Sequence, residues 1–533
     1  MYTLFNKYIS GPFTIPSGIV TTSSSAIKRF FDVPGIGIVT TKSIGLSYRP
    51  GNKEPIITEY KPYSYVNAVG LANIGATDFA KELSSIDIPA DKFLLISIFG
   101  QNEEEFYQIA KILSPFADGF ELNLSCPHAK DYGQSVGKDL DLVARIIEKL
   151  LVFNKPLVMK LSPNLDIQKT VLRAIEAGIS GFTAINTMGP ISVLHDGYPV
   201  LSNKFGGISG KEILNRGIEC VKQIRELSSL PIIACGGISD AESARKYLEA
   251  GNHQDIFLGV GSALAGMSTK EISTYFQELH YDLTNNTDTA KYLLKTQLNM
   301  NYKKFIIKKV ELLADDLFIL EFNKSLLTYP GQFIFAWVPE KGEKPFSVLD
   351  DAPLKLLIQK RGCFTNFLSE LISGDSLYIR GPYGNSPEMC GKILLAGGGT
   401  GIAGLYLYAK YNPDTIAVLG AKDLQHLPYI KFFKKHCKQV FLCTENGEIG
   451  NKCLVPDCIP ELPLTFDYAV NCGPQKMLER VIAKEGKLLP MDKIYSHIDF
   501  RTECGIGLCG KCAIQNTKGY RSCVDGPLTP DQF

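Results

Sequence analysis

The first half of the chain alternates short apolar runs with amphipathic stretches of helical period. The amphipathic stretches include Glu103–Leu113, Leu140–Leu150 and Ala241–Ala250. Strands that alternate with helices indicate parallel β/α units, and about eight units in roughly 270 residues favour a (β/α)8 barrel over an open sheet. The predicted strands are Gly37–Thr41, Phe93–Phe99, Gly119–Leu124, Leu157–Leu161, Gly181–Asn186, Pro231–Ala234 and Ile256–Gly259.

The hydrophobic pattern changes after Tyr302. Residues 303–388 alternate apolar and polar positions between turn signals such as Pro330-Gly331, which predicts a small antiparallel β-barrel. Residues 391–488 return to strand, glycine loop and helix, the pattern of a nucleotide-binding α/β domain. We therefore expect a (β/α)8 domain at 1–282, a linker at 283–302, a β-barrel at 303–390, an α/β domain at 391–488 and a cysteine-rich domain at 489–533.

Composition and charge exclude several classes of protein. The 533 residues are 45% hydrophobic and 21% charged, the balance of a globular protein. Fifty-six basic and 55 acidic residues give a formal net charge of +1, so the chain has no excess of positive charge that would bind nucleic acid or an anionic membrane. The longest uncharged apolar run, Ile393 to Ala409, is interrupted by glycines and is short for a membrane span. No basic segment precedes an apolar stretch near Met1, so we expect a reduced, cytoplasmic protein.

Residues 489–533 hold four of the fourteen cysteines. Three lie on a tight glycine-rich loop and the fourth lies further along, which is the plant-type ferredoxin spacing for a [2Fe–2S] cluster. A zinc site is the less favoured alternative, because zinc usually binds paired two-residue knuckles. We expect most of the other ten cysteines to be small core side chains. The predicted cluster ligands are Cys504, Cys509, Cys512 and Cys523.

A glycine loop follows an apolar strand at Leu394-Leu-Ala-Gly-Gly-Gly-Thr-Gly. Backbone amides at such a helix start bind pyrophosphate, because they and the helix dipole both favour anions. Together with Asn471-Cys472-Gly473-Pro474 and the segment 345–348, Pro-Phe-Ser-Val, the loop resembles the ferredoxin–NADP reductase superfamily. That resemblance implies FAD in the β-barrel and a nicotinamide nucleotide in the α/β domain. The implied contacts are Lys344, Pro345, Phe346, Ser347 and Gly362 for FAD, with Gly397, Gly398, Gly399, Thr400 and Gly401 in the loop.

The first half carries unusual residues where predicted strands end, the place where (β/α)8 barrels hold their chemistry. The segment Glu121-Leu-Asn-Leu-Ser-Cys-Pro-His128 is the most distinctive, and Thr41-Lys-Ser43 and Met159-Lys-Leu-Ser-Pro163 follow other strands. From about residue 10 to about 265 this set resembles dihydroorotate dehydrogenase of the first class. Residues 303–533 resemble the electron-transfer subunit of the NAD-linked (1B) enzymes, so the chain looks like a fusion of two subunits.

The resemblance implies oxidation of dihydroorotate to orotate in pyrimidine biosynthesis, with electrons passing from FMN through the [2Fe–2S] cluster and FAD to NAD+. It implies Cys126 as the base that removes a substrate proton, because a tuned thiol suits that role at neutral pH. By analogy we also expect a homodimer. The implied substrate contacts are Asn67, Val69, Gly70, Leu71, Asn123, His128, Asn186 and Thr187. The implied FMN contacts are Ser17, Gly18, Lys42, Ser43, Asn123, Lys160, Ile185, Gly206, Gly207, Gly236, Gly237, Gly261 and Ser262.

Two positions depart from the family pattern. His128 stands where the family usually has asparagine, and dihydropyrimidine dehydrogenases share Cys-Pro-His; their base cysteine, however, corresponds here to Val136. Lys344 stands where the FAD signature has arginine. The ammonium group of lysine is a point charge, whereas the guanidinium of arginine can donate two parallel hydrogen bonds to the flavin pyrophosphate. A dihydrouracil dehydrogenase and a dihydroorotate dehydrogenase with a non-nicotinamide acceptor are therefore the alternatives. A quinone-linked enzyme would need an apolar N-terminal helix and serine at 126, and a non-catalytic electron-transfer module would leave the first half unexplained.

Overall fold

The computed structural model describes residues 2–124, 137–459, 465–498, 501–513 and 518–532. The chain forms two compact units. The barrel unit comprises Met1–Leu298 and Ile506–Gly519, and the second unit comprises Asn299–Gly505 and Tyr520–Phe533. The predicted C-terminal domain at 489–533 is thus divided between the two units. Within the described ranges, no helix combines the length and the apolar character needed to cross a membrane.

The barrel unit contains an eight-stranded parallel sheet, as the sequence predicts. Its ends meet at Phe13, whose amide donates to the carbonyl of Gly35 at 3.1 Å and whose carbonyl accepts from Gly37 at 3.2 Å. The first strand was not predicted, because two residues are too short to show a pattern. The strands are β1 (Phe13–Thr14), β2 (Ile38–Thr40), β3 (Phe93–Ile98), β4 (Gly119–Asn123), β5 (Leu157–Leu161), β6 (Gly181–Ala184), β7 (Ile232–Cys235) and β8 (Ile256–Gly259).

Helices connect the strands, and most begin at a side chain that caps the first turn. Asn102, Asp139, Asp166 and Asp240 each accept a hydrogen bond from a first-turn amide, which satisfies a donor that the helix leaves open. The α-helices are Ser24–Phe31, Ala76–Leu83, Glu103–Leu113, Leu140–Leu150, Ile167–Glu176, Leu214–Leu227, Ala241–Ala250 and Thr269–Asn285. Short 3-10 turns cover Leu151–Phe153, Lys211–Ile213, Ser262–Leu264 and Ala290–Leu293. The last long helix therefore runs to Asn285, into the linker predicted at 283–302.

The two ends of the barrel differ in polarity. At the amino-terminal end the hairpin of Tyr2–Leu4 with Lys7–Ile9 contributes Leu4 and Ile9 to a buried apolar cluster with Phe93. At the other end an antiparallel sheet pairs, in order, Met188–Ile191, Gly206–Gly210, Ser64–Asn67 and Ile57–Lys61. A small hairpin joins Leu194–His195 to Tyr198–Pro199. Apolar packing thus closes one end of the barrel and leaves the carboxyl ends of the strands for polar residues.

The second unit contains the predicted antiparallel sheet. Its long first strand, Lys303–Ala314, turns a corner: residues 303–306 pair with the strand Ser376–Tyr383, and residues 307–314 pair with Leu317–Phe322. The seven strands, in sheet order, are Gly342–Ser347, Phe333–Val338, Ser376–Tyr383, Lys303–Ala314, Leu317–Phe322, Leu354–Gln359 and Asp350–Asp351. A short helix covers Cys363–Leu368.

A five-stranded parallel sheet follows, as expected for a nucleotide-binding domain. Its order is Gln439–Thr444, Thr415–Ala421, Ile393–Gly398, Tyr468–Cys472 and Ile494–His497. The chain adds strands on one side of Ile393–Gly398 and then on its other side, beginning with Tyr468–Cys472. The direction of strand order therefore reverses between these two strands. Ligands of such sheets bind at that reversal, outside the carboxyl ends of the strands. The helices are Tyr406–Tyr411, Ile430–His436, Gln475–Glu485 and Ser522–Asp525, with 3-10 turns at Gly399–Leu405, Val455–Cys458, Met491–Lys493 and Pro530–Gln532.

Residues 506–513 pack on the barrel through hydrogen bonds to the backbone. The amide of Val20 donates to the carbonyl of Leu508 at 2.9 Å, and the amide of Gly266 donates to that of Ile506 at 2.9 Å. The hydroxyl of Thr22 donates to the carbonyl of Gly510 at 3.0 Å. Each contact satisfies a backbone group that a loop would otherwise expose to water, which explains why this segment belongs to the barrel unit.

Candidate functional site

Polar side chains meet at the carboxyl ends of neighbouring barrel strands. The hydroxyl groups of Ser43 and Ser97 lie 2.9 Å apart, and the Ser97 hydroxyl donates to Glu121 Oε1 at 2.9 Å. Asn123 donates through Nδ2 to the Ser43 hydroxyl at 2.9 Å, and Asn186 Nδ2 lies 3.5 Å from Asn123 Oδ1. The structure thus brings the predicted Ser43, Asn123 and Asn186 into one network across β2 to β6.

Two buried lysines border this network. Lys160, 4% exposed, donates to the Ser17 hydroxyl at 2.7 Å, and its Nζ lies 3.8 Å from Glu121 Oε1. Lys42, 6% exposed, points its Nζ at the carbonyl of Cys509 at 3.4 Å. Both lysines were predicted, but the contact of Lys42 with the cysteine loop was not, because it joins residues 467 positions apart.

In the barrel network, Ser97 and Glu121 are residues that sequence reasoning missed. Ser97 is 0% exposed and Glu121 is 1% exposed, so both lie inside the barrel. A polar residue inside an apolar strand was the available signal, since a buried polar group needs a partner. Here each partner comes from a neighbouring strand, which the linear sequence does not reveal.

The antiparallel sheet above the barrel carries further predicted contacts. Asn67 Nδ2 lies 3.4 Å from the carbonyl of Gly207, its neighbour across the sheet. A Cβ at Gly206 would meet the carbonyl of Asn67 at 2.7 Å, so the close approach of these strands requires glycine. These glycines lie in the strand Gly206–Gly210, which is not among the predicted strands.

The loop that follows the strand Ser64–Asn67 has an uncommon backbone conformation. Gly70 has φ +79°, and Leu71 has φ 55°, a value that bulky residues rarely adopt. The guanidinium of Arg49 donates to the carbonyl of Gly70 at 2.9 Å, and Asn73 Nδ2 donates to that of Leu71 at 2.9 Å. Backbone strain of this kind clusters at ligand sites, and the predicted substrate contacts Val69, Gly70 and Leu71 lie here.

The predicted phosphate-binding glycines follow β7 and β8. Gly236 and Gly237 have φ +121° and +78°, which favours glycine, and the hydroxyl of Tyr247 donates to the carbonyl of Gly236 at 2.7 Å. Gly261 precedes the 3-10 turn that begins at Ser262. Ile185 and Thr187 flank Asn186 after β6, and the amide of Thr187 donates to Asn186 Oδ1 at 2.8 Å. Cys126 and His128 lie outside the described residues.

All four predicted cluster cysteines are buried, each at most 4% exposed. Cys509 and Cys512 belong to the barrel unit, and Cys504 and Cys523 belong to the second unit. The glycines of the loop, Gly505, Gly507 and Gly510, have φ of +80°, +72° and +70°. Only glycine adopts this conformation without cost, which agrees with a backbone that turns its amides toward a bound group.

The second unit contains a cavity of about 780 Å³. The predicted FAD contacts Pro345, Phe346 and Ser347 line it, as do Gly398 through Gly401 and the Cys472-Gly473-Pro474 turn. Its walls thus come from the antiparallel sheet and from the reversal point of the parallel sheet. Of the remaining predicted contacts, Lys344, Gly362 and Gly397 are not among the lining residues.

Three cations that sequence reasoning missed line this cavity: Arg361, Lys422 and His426. Arg361 is exposed, and its Nε donates to Gln359 Oε1 at 2.8 Å. His426 lies between Asp316 and Asp423, at 2.8 and 2.6 Å. Burial opposes the charged ring, but the hydrogen bonds to the two carboxylates outweigh it and raise the pKa of His426. Arg361 and Lys422 therefore supply the net positive charge of this wall, because Asp316 and Asp423 balance the charge of His426.

A second cavity, of about 440 Å³, lies on the other side of Gly398 and Gly399. It shares Gly398, Gly399, Ala421, Lys422 and Pro474 with the first cavity, and its charged lining residues are Lys422, Glu445, Lys476 and Arg480. Because both cavities meet at the reversal point of the sheet, the unit can hold two nucleotide-sized ligands side by side.

A fully buried ion pair lies beneath the antiparallel sheet. Arg380 donates through Nε and Nη2 to the two oxygens of Glu343, both at 2.7 Å, and each residue is 1% exposed. The hydroxyl of Tyr302 donates to Glu343 at 2.6 Å. Arg380 Nη1 donates to the hydroxyl of Tyr383 at 2.9 Å and to the carbonyl of Cys504 at 3.1 Å. The pair therefore orients the backbone of a predicted cluster ligand.

A buried carboxyl lies behind the Asn471-Cys472-Gly473-Pro474 turn. Glu485 is 0% exposed, and burial raises its pKa to about 8, although the amide of Asn471 donates to it at 2.6 Å and opposes the rise. The carboxyl is therefore largely protonated at neutral pH and supports the turn as a neutral group.

The disulfide between Cys453 and Cys458 was not expected from the sequence, which predicted a reduced protein. The two residues flank the turn Val455–Cys458, and the spacing of cysteines alone did not indicate that this turn brings them together. Among the nine described cysteines outside the predicted cluster, Cys220, Cys235 and Cys443 are buried, so the expectation that most of them are core side chains is wrong.

Two family models match the chain. The model described as dihydroorotate dehydrogenase matches residues 1–281. The model described as the iron–sulfur cluster binding domain of dihydroorotate dehydrogenase B matches residues 501–531. These matches agree with the resemblance drawn from the sequence at both ends of the chain.

Individual relatives lead to the same family. The catalytic subunit of dihydroorotate dehydrogenase B (NAD(+)) from Methanocaldococcus jannaschii is 39% identical, over 45% of this chain and 80% of that protein. The subunit of the same name from Pyrococcus horikoshii is 39% identical, over 51% of this chain and 89% of that protein. A solved NADH-dependent reduced ferredoxin–NADP oxidoreductase is 30% identical and covers 44% of this chain and 88% of its own, with a TM-score of 0.38.

Replacing Arg380 by methionine should lower the free energy of unfolding by about 3–5 kcal/mol, because Glu343 is left buried without its cation. The double variant Arg380→Met/Glu343→Leu removes both charges and should recover most of the loss. Urea unfolding of the two variants and the parent chain measures this. Equal losses in both variants would show that packing, and not the charge pair, sets the effect.

Replacing Glu485 by glutamine should remove a pH dependence of stability. Since folding raises the pKa of Glu485 from 4.5 to about 8, the unfolded state loses its proton first as the pH rises. The stability of the parent chain should therefore fall, relative to Glu485→Gln, by at most about 1.4 kcal/mol per pH unit until the pH passes the folded pKa. Urea unfolding from pH 5 to pH 8 tests this, with Glu479→Gln on the exposed face of the same helix as the control. Parallel profiles for the parent and Glu485→Gln would contradict it.

Proposed function

Because this chain belongs to the dihydroorotate dehydrogenase family, we propose that it oxidises dihydroorotate to orotate and passes the electrons to NAD+. The observation that carries the proposal is the polar network at the carboxyl ends of the strands, within the 281 residues that the family model matches. The predicted family and enzyme class are confirmed. The alternative substrates and acceptors find no support among the relatives.

Orotate is planar and polar, and asparagine amides can both donate to it and accept from it. Asn123 and Asn186 present such amides at the barrel mouth, and Asn67 presents one from the sheet above it. Cys126 would take the substrate proton, and His128 would contact the substrate beside it. Thr187 and the strained loop at Leu71 would complete the pocket, whose polar groups exclude ligands without matching donors and acceptors.

The residues of the barrel fit FMN. Lys42 and Lys160 are buried cations that suit an anionic flavin, and Lys160 is held in place by Ser17. Gly236 and Gly237, with their positive φ, and Gly261-Ser262 offer backbone amides to a phosphate. When bound, FMN, FAD and the [2Fe–2S] cluster supply the electron carriers between dihydroorotate and NAD+.

Cys504, Cys509, Cys512 and Cys523 would hold the cluster, which agrees with the match of residues 501–531 to the iron–sulfur domain. Arg380 would orient Cys504, and Lys42 would contact the backbone of Cys509. These charges would stabilise an anionic cluster, since cations and amide donors near the sulfur atoms favour added negative charge.

The two cavities of the second unit fit FAD and NAD+. Pro345, Phe346 and Ser347 would contact the flavin in the larger cavity, while Arg361, Lys422 and His426 would face its pyrophosphate. NAD+ would occupy the smaller cavity, with Gly398 and Gly399 between the two ligands. The homodimer and the cytoplasmic location stay predictions.

Replacing Cys126 by alanine should slow reduction of the enzyme by dihydroorotate at least 100-fold, because a general base contributes about 10²–10⁴ in rate. Reduction of the flavin by NADH should be unchanged, since that reaction needs no proton from dihydroorotate. Anaerobic stopped-flow spectroscopy follows both reactions, with Cys390→Ala, an exposed cysteine, as the control. An unchanged dihydroorotate rate would remove Cys126 from the mechanism. Failure of the parent enzyme to be reduced by dihydroorotate would overturn the proposed function.

Replacing Arg361 by glutamine should weaken FAD binding by about 10–100-fold, the effect of losing one charged hydrogen bond of about 1.5–3 kcal/mol. Lys344→Gln should change the affinity by less than about threefold, because Lys344 does not line the cavity. Titration of flavin-depleted protein with FAD, followed by flavin fluorescence, gives both affinities. A larger loss with Lys344→Gln would show that the family position keeps its role despite the exchange of arginine for lysine.

A further inference from the structure

Three cysteines outside the predicted cluster lie together in the second unit. The sulfur atoms of Cys443, Cys453 and Cys458 are all within 4.8 Å of one another. None of the three is a predicted cluster ligand, flavin contact or substrate contact. Cys443 and Cys453 also line the smaller cavity.

Backbone hydrogen bonds and a turn bring these three cysteines together. Cys443 is the penultimate residue of the strand Gln439–Thr444, and its backbone bridges to Asn451. The amide of Asn451 donates to the carbonyl of Leu442 at 2.9 Å, and the amide of Thr444 donates to that of Asn451 at 3.1 Å. These bonds fold the chain back on the strand, and the turn Val455–Cys458 then returns Cys458 to the same place.

The absence of a side chain at Gly420 leaves space for the thiol of Cys443. A Cβ at Gly420, on the neighbouring strand, would lie 2.7 Å from the sulfur of Cys443. The thiol of Cys443 donates to the carbonyl of Leu419 at 3.6 Å, so its sulfur is held in one orientation. Asp457, between the other two cysteines, pairs with Arg480 at 2.7 Å and is directed away to that cation.

We propose that Cys443, Cys453 and Cys458 form a three-thiolate site for Zn²⁺, with a fourth position open to the smaller cavity. Zinc prefers thiolate ligands at about 2.3 Å in tetrahedral geometry, so bound sulfur atoms lie roughly 3.8 Å apart. The observed separations, all within 4.8 Å, need only small side-chain movements to reach that spacing. Sites with three protein ligands and one open position bind water or a ligand at the metal.

The site exists in the reduced protein. Two molecules of a small thiol reduce the Cys453–Cys458 disulfide to two thiols and are themselves joined as a disulfide. Zn²⁺ then displaces the protons of the three thiols, including the one that Cys443 donates to Leu419. Oxidation would reverse both steps and release the metal, so the site is occupied only under reducing conditions.

Metal analysis of the intact holoenzyme tests this site. Protein reduced with dithiothreitol is incubated with Zn²⁺ and desalted, and zinc and iron are counted per chain by mass spectrometry. We expect about one zinc per chain in the parent and at least a tenfold loss in Cys453→Ser and in Cys458→Ser. Cys390→Ser, an exposed cysteine elsewhere in the unit, should keep the zinc, and all variants should keep the iron of the parent.

The iron content separates loss of the proposed site from a failure to fold, and the variants separate the site from zinc bound elsewhere. A variant that fails to fold loses iron as well, and Cys443→Ala then serves as the second test of the same site. Zinc bound at a vacated iron–sulfur site would persist in Cys453→Ser, and that result would overturn the proposal. Absence of zinc from the reduced parent, or a Cys453–Cys458 disulfide that survives dithiothreitol in peptide mapping, would also overturn it.

Discussion

Parallel strand pairing is the constraint on which the functional parts of this protein depend. A parallel strand places its carboxyl end at the same edge as its neighbours, so residues far apart in sequence meet there. In the barrel this edge collects Ser43, Ser97, Glu121 and Asn123 into one hydrogen-bonded network. In the α/β sheet it places the glycine loop beside the Cys472-Gly473 turn. Two different folds thus use the same geometry to assemble a site.

Buried charge is the second feature that shapes the protein. Arg380 and Glu343 satisfy each other with two hydrogen bonds, and the spare donors of Arg380 reach Tyr383 and the carbonyl of Cys504. Lys160 lies near Glu121 in the barrel in a similar way. Such groups are costly to bury, and each is tolerated because an opposite charge lies close to it, at 2.7 Å for Arg380 and Glu343 and at 3.8 Å for Lys160 and Glu121. The same rigidity keeps the neighbouring backbone in place for a bound cofactor.

The cysteines show three different uses of one side chain. Those of the ferredoxin-type loop stand among glycines with positive φ, where backbone amides can turn toward a bound cluster. Cys220 and Cys235 are buried in the barrel unit, where burial raises the pKa of the thiols to about 11 and about 12 and leaves them unreactive. Cys443, Cys453 and Cys458 lie beside the smaller cavity, where the fold places their sulfur atoms within 4.8 Å of one another.

The sequence by itself determined the (β/α)8 barrel, the antiparallel and parallel sheets of the second unit and the family, because hydrophobic period and motif spacing are local properties. It also predicted Asn123, Lys160 and the loop at Gly398 as residues that contact substrate or cofactor. Only the tertiary structure decided which residues join them. Ser97 and Glu121 in the barrel, Arg361 and His426 at the larger cavity, and the division of residues 489–533 between two units depend on contacts between distant segments. Such contacts follow from strand order and packing, and no local pattern of residues records them.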